Sequence, residues 1–312
     1  MIARALDLLR NCMLAGMLLL FAHLAVAAPN RIVIVTTTAD GAYAEATSTL
    51  RGLIEASMPV VEVDIRNWEQ ASTDTLADSR MIVTVGTQAA RVVAGLGLGQ
   101  PVLHILLPAS SYEKLPPPRA GATMSAIYLD QPPERQLALI RLALPEWKRI
   151  ALLGSPGGDK ALRRLADLAR ERQIEVREAT IAADRDLYPA LQQVLADPAV
   201  LIATPDAQIF NSYTVQNVLL TAYRHRSPVV GFSAAYVRAG ALFALYSTPA
   251  QIAGQAADAV LRVIRGDGLP PPRAPRRFEV AINANVARSL GISLESGEQL
   301  TAELRRLEGA TP

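Results

Sequence analysis

One alternation runs twice through this chain: an apolar, β-branched run, then a helical stretch, then another run. The first round opens at Arg31–Thr38 (RIVIVTTT), and similar runs follow at 60–65, 81–85 and 101–107, with helical stretches at 43–56 and 87–94. Runs that are apolar without alternation belong to strands covered on both faces. Strands separated by helices imply a parallel sheet with right-handed crossovers. After the prolines at 116–118 come a strand at 123–128 and a helix at 133–144 with Leu137, Ile140, Ala143 and Leu144 on one face. At Arg149 the pattern starts afresh, with strands at 149–153, 174–180, 200–204 and 228–232 and helices at 160–172, 187–196 and 211–225. Two successive α/β domains are therefore expected, not one large sheet.

The closing block, Val237–Gly291, complicates that division. A strand is expected at 239–246, followed by Thr248-Pro249-Ala250-Gln251. Thr248 can cap a helix there, Pro249 fits its first turn, and Gln251 completes a capping box. Ile252, Ala256, Val260 and Val263 form the helical stripe, and Gly266 suits the left-handed position that ends it. Beyond the prolines, one more strand (278–282) and one more helix (284–290) are expected. Because the second domain already has a sheet, these late elements are assigned back to the first. The expected division is 28–130 plus 247–312 for one lobe and 131–246 for the other.

Residues 1–27 read as a cleaved secretory signal: Arg4 and Arg10 precede the apolar run Met13–Val26, and Ala25-Val26-Ala27 offers small residues for cleavage. The run is about 14 residues, short of the roughly 20 that cross a bilayer. Cys12, the sole cysteine, precedes that run without a lipobox and leaves with the leader. Disulfides, thiol catalysis and cysteine-ligated metals are thereby excluded from the mature chain. The formal net charge is only +2, and no concentrated positive field marks a nucleic-acid binder.

At three places the chain resembles the substrate-binding proteins of ABC transporters, of the tryptophan/tyrosine-binding type. These are GTQAA at Gly86–Ala90, QLALIRLALPEWKRIALL at Gln136–Leu153, and the closing block with Asn283, Ala287, Leu290 and Gly291. The resemblance spans nearly the whole mature chain and implies a type I periplasmic binding-protein fold: two Rossmann-like α/β lobes with parallel sheets joined by several hinge crossovers. Two departures are visible. Leu107-Pro108-Ala109-Ser110-Ser111 replaces an Asp-Pro pair after the fourth strand, and Ser247-Thr248-Pro249 replaces a glycine before the Ala-rich helix. The first falls near the expected cleft, so amino-acid specificity is not carried over.

In open α/β sheets, ligands sit beyond the carboxyl ends of the strands, where loops and helix N-termini present donors. Thr37, Thr38 and Asp40 follow the first strand, either as ligand groups or as caps of the next helix. Thr87 and Gln88 follow Gly86 at a helix start suited to a carboxylate, the alternative being a cap and a solvated side chain. Ser110 and Ser111 line the cleft or an exposed loop. Asp206 follows VLIATP, where the resemblance implies an acidic residue facing the ligand; capping is the alternative. Ser233 is a hinge-side donor or a turn residue, and Tyr246 a cleft wall, a hinge side chain or a packed core tyrosine.

Enzyme signatures are weaker. Gly231-Phe232-Ser233-Ala234-Ala235 lacks the last glycine that a nucleophile elbow needs in its tight turn. Gly154–Lys160 misses phosphate-loop spacing and reads as a turn capped by Asp159. His104 lies within a buried-strand pattern and His225 at a helix end, without metal-ligand spacing. The expected protein is a periplasmic, monomeric, cofactor-free binder of a small polar or amino-acid-like ligand that serves an ABC permease. A sensor kinase or an outer-membrane uptake system is the alternative partner, and an exported serine hydrolase using Ser233 the alternative class.

Overall fold

The computed structural model describes residues 30–157 and 159–309; the expected signal at 1–27 lies outside them. The first sheet holds β1 (Arg31–Thr36), β2 (Glu62–Asn67), β3 (Met81–Val85), β4 (Val102–Leu107) and β5 (Met124–Tyr128). Their order is β2-β1-β3-β4-β5, and every pairing is parallel. The apolar runs account for this: β3 and β4 are buried at every position and β1 at all but its first. Helices Gly41–Ser57 and Pro249–Ile264 cover one face, and Thr87–Gly95 covers the other.

The second sheet contains β6 (Arg149–Gly154), β7 (Glu175–Thr180), β8 (Val200–Ile202), β9 (Val229–Gly231), β10 (Phe243–Tyr246) and β11 (Glu279–Ile282). Its order is β11-β10-β9-β8-β6-β7, and β11 alone runs antiparallel to its neighbour. Helices Pro133–Ala143, Lys160–Glu171 and Gly297–Gly309 pack on one face with Phe243 and Phe278. Leu187–Val194 and Val215–Arg224 cover the other.

The closing block divides differently from the expectation. Helix Pro249–Ile264 does pack on the first sheet, with Ile252, Ala253, Ala256 and Val260 fully buried, and its Thr248–Gln251 capping box is formed. The strand expected to rejoin that sheet instead extends the second, and helix Ala284–Leu290 buries Ala287 in the second core. Without β11, the row of N–H and C=O groups along β10 would be an open edge. Phe278 and Val280 gain a ready core there, and burying such a side chain contributes about 1.5–3 kcal/mol. The strand expected at 239–246 is also shorter. Its start is spent on helix Ala234–Ala239, which Gly240 terminates at φ 125°.

Three crossovers join the sheets: residues 129–132, 247–248 and 265–278. The third touches the first sheet on its way, where Arg273 bridges Ile127 in parallel, and then goes on to β11. Buried Arg135 ties the crossovers together. It donates to Gln131 Oε1 (2.7 Å) and the Pro275 carbonyl (3.0 Å), pairs with Glu308, and lies 4.2 Å over the Phe278 ring. Gln131 Nε2 donates to Ser247 Oγ (2.9 Å), which donates to the Arg277 carbonyl (2.5 Å). Losing one partner would strand buried polar groups, at about 1–3 kcal/mol each.

Candidate functional site

The carboxyl ends of β3 and β4 look across a cleft at those of β6 and β8. The cavity between them has a volume of about 260 Å³. Thr87, Arg91, Ser110, Ser111 and Lys114 line it from the first sheet; Ser155, Asp159, Asp206 and Gln208 line it from the second. Thr87 and Asp206 are thus brought to one cavity from opposite sides.

Gly86 shapes the first wall. Its φ is +92°, and a Cβ there would lie 2.6 Å from Thr37 Oγ1 and 2.8 Å from the Tyr43 ring. Only glycine permits this approach, which lets the Thr37 hydroxyl accept from the Ala89 amide (3.2 Å). Thr37 therefore caps helix Thr87–Gly95 across the sheet and not the helix next in sequence. Thr38 donates to the Asp40 carboxylate, and Asp40 sits at the head of helix Gly41–Ser57 without a side-chain cap bond. Neither they nor half-buried Gln88 are among the residues lining the cleft.

The segment carrying Ser110 is re-aimed by a bulge in β4. The register shifts between Ile105 and Leu107, and Leu106 adopts φ +54°. A non-glycine residue in that region is uncommon and costs about 1–2 kcal/mol. The bulge leads into a short helix, Ala109–Tyr112, where the sequence reads as a loop. The first amide of this helix donates to Asp130 (2.7 Å), a buried carboxylate after β5. Burial above all, with Asp159 of the facing wall adding to it, pushes Asp130 up to about 6 against the pull of that amide.

On the second wall the carboxylates already have partners. Asp206 accepts from the Ser155 hydroxyl and the Gln208 amide (2.9 Å), while its carbonyl accepts from the Phe210 amide (2.7 Å). Asp159 caps helix Lys160–Glu171 through the amides of Ala161 (2.7 Å) and Leu162 (3.4 Å). Beside the cleft, Lys160 reaches over to Glu113 of the first side (3.0 Å).

Ser233 and Tyr246 lie apart from this cavity. Ser233 accepts from the Tyr236 amide (3.3 Å) as the cap of its own helix. Tyr246 reaches Glu279 of β11 (3.5 Å), and burial followed by that carboxylate raises its pKa. His104 is fully buried beside Thr84 (2.6 Å), with burial pushing the imidazole down to about 3, and His225 ends helix Val215–Arg224.

Sequence reasoning leaves out Arg91, Lys114, Ser155 and Gln208. Ser155 is within reach of the strand-end rule, since it comes directly after β6, but it lies inside the stretch that fails as a phosphate loop. Arg91 is one helical turn beyond Thr87 and shares its face. Lys114 and Gln208 carry no comparable signal.

The family model for ABC transporter substrate binding proteins matches residues 70–303. No curated protein matches the chain by sequence. Among solved structures, a conserved domain protein from Vibrio cholerae O1 biovar El Tor superposes with TM-score 0.64 at 21% identity, covering 87% of this chain and 97% of that one. The ABC domain from Streptococcus pneumoniae, in complex with L-Trp, gives 0.65 at 15% identity over 87% and 97% of the two chains. The ligand-free, open form of CD0873, a substrate-binding protein with adhesive properties from Clostridium difficile, gives 0.67 at 15% identity over 86% and 97%. The two-lobed architecture and mainly parallel sheets are shared with these structures.

Proposed function

Because the chain belongs to the ABC transporter substrate-binding protein family, we propose that it captures a small polar or zwitterionic solute in the cleft and delivers it to a membrane permease. The carrying observation is the division of charge across one cavity, with Arg91, Lys114 and the start of helix Thr87–Gly95 facing Asp159 and Asp206. A ligand carboxylate suits the first wall, where backbone amides and guanidinium offer only donors. An ammonium group suits the second. The family is a solute-binding class, and binding of this kind makes or breaks no bond.

The lining also bears on the kind of solute. The pneumococcal neighbour holds L-Trp, whereas no aromatic side chain lines the present cleft among the described residues. A ring entering here finds serines, prolines and charges, so a compact polar solute is the better fit. At about 260 Å³ the space is below the usual range of drug-sized sites. Among the described residues no helix is long and apolar enough to cross a membrane, and export through residues 1–27 completes the reading.

Thermal-shift screening of the full chain against amino acids and other small charged metabolites tests it. A ligand at 100 times its Kd adds about 2.7 kcal/mol of stability. The Asp206→Ala variant is expected to lose about a hundredfold in affinity, since truncating one partner of a desolvated charged contact costs 2–5 kcal/mol. A panel that leaves the wild type unshifted, or an Asp206→Ala variant that binds as before, would overturn this assignment.

A further inference from the structure

A second cavity, of about 390 Å³, lies away from the cleft and shares no lining residue with it. It opens between the end of helix Pro249–Ile264 and the third crossover, over Ala126 and Ile127 of β5. Arg262 lines it from the helix, Arg265 from the helix's C-terminal cap, and Arg273 and Arg276 from the crossover. Although these arginines are spread over fifteen positions of a nearly neutral chain, folding gathers them around one concavity.

The hydrogen-bonding character of this lining is one-sided. Asp258 is the sole carboxylate among its lining residues, and it is engaged with Arg276 (3.0 Å). Arg262, Arg265 and Arg273 have no carboxylate partner among the described residues. Gln255 adds a further donor: its Oε1 accepts from the Arg276 amide (2.9 Å), while its buried Nε2 has no partner among the described residues. A buried donor left unmatched is costly, and Gln255 lines the same cavity as the four arginines. The helix dipole accounts for a cation at the end of Pro249–Ile264, but not for the arginines that the crossover brings to the same place.

We infer that this cavity is a second binding site, for a multiply charged oxyanion such as a phosphate ester or diphosphate, independent of the solute cleft. Planar guanidinium groups engage such oxygens in pairs of parallel hydrogen bonds, and the Gln255 amide supplies the uncharged donor. No step of the proposed solute capture requires it.

Titration calorimetry of the full chain with inorganic pyrophosphate at low salt tests the site, alongside sedimentation with vesicles of phosphatidylcholine alone or mixed with phosphatidylglycerol. Saturable binding that weakens as salt rises is expected. It should fall by about tenfold or more in Arg265→Gln with Arg273→Gln, the factor that one charge-assisted hydrogen bond carries, and stay unchanged in Asp206→Ala. If only phosphatidylglycerol vesicles bind, the ligand is a singly charged lipid surface and not a multiply charged oxyanion, which overturns the inference. Absence of binding to both probes, or binding equal in the arginine double variant with an unaltered Tm, overturns the inference.

Discussion

The two walls of the cleft carry opposite charges, but they differ more in what already restrains those charges. On the second wall, Asp206 is fixed by Ser155 and Gln208 and Asp159 by the first amides of its helix. On the first, Arg91 and Lys114 have no carboxylate partner among the described residues. One wall is thus set before a ligand arrives, and the other must order long side chains around it, at about 0.5–1.5 kcal/mol each. For the zwitterionic solute proposed above, this makes the contact with a cationic end the more geometric of the two and the contact with an anionic end the more adaptable.

The largest effect is expected from removing the unpaired charges of the first wall. Replacing Arg91 and Lys114 together by alanine is expected to weaken binding of the captured solute by about a hundredfold, roughly 1.4 kcal/mol for each, with little change in Tm. Calorimetry on the double variant checks this, and unchanged affinity would mean that the anionic end lies elsewhere.

A smaller effect is expected at Asp130, where the walls meet electrostatically. Its folded pKa of about 6 lies above the ordinary carboxylate value, so the folded state binds more protons between about pH 4 and 6. The stability it confers is full below that window and is lost as pH rises through 6. Asp130→Asn, which can still accept from the Ala109 amide, should flatten that slope and add on the order of 1–3 kcal/mol at pH 7. Urea unfolding across this pH range measures it, and an unaltered slope would place the pH dependence elsewhere.

Least of all is expected from the Lys160–Glu113 pair. Both side chains are largely exposed, and such a pair is worth less than about 1 kcal/mol. A double-mutant cycle with Lys160→Ala and Glu113→Ala, read by small-angle scattering, should show at most a slight, salt-sensitive opening of the lobes. A large opening would make the pair a principal restraint on closure.

Legibility in the sequence tracks the range of the interaction. The restart at Arg149, the Thr248 cap and the Asp159 cap are local signals, and each has its counterpart in the structure. The destination of β11 is not local. Residues 278–282 read as a strand in either sheet, and the choice falls to the open edge of β10 more than thirty residues earlier. The cleft shows the same limit. The strand-end rule reaches Thr87, Ser110 and Asp206, but Thr37 answers to an amide 52 positions away, and Ser233 and Tyr246 stand at the ends of β9 and β10, which do not line this cavity.

The helix Pro249–Ile264 also bears on how the protein can be made. It shares one face of a sheet whose five strands are complete by Tyr128 with helix Gly41–Ser57, so its own part of that apolar face stays uncovered while the next 120 or so residues are synthesised. The N-terminal lobe therefore completes its core late, unlike the order usual in multidomain chains. A nascent chain truncated after β10 should expose the Leu50, Ile54 and Val83 surface and aggregate.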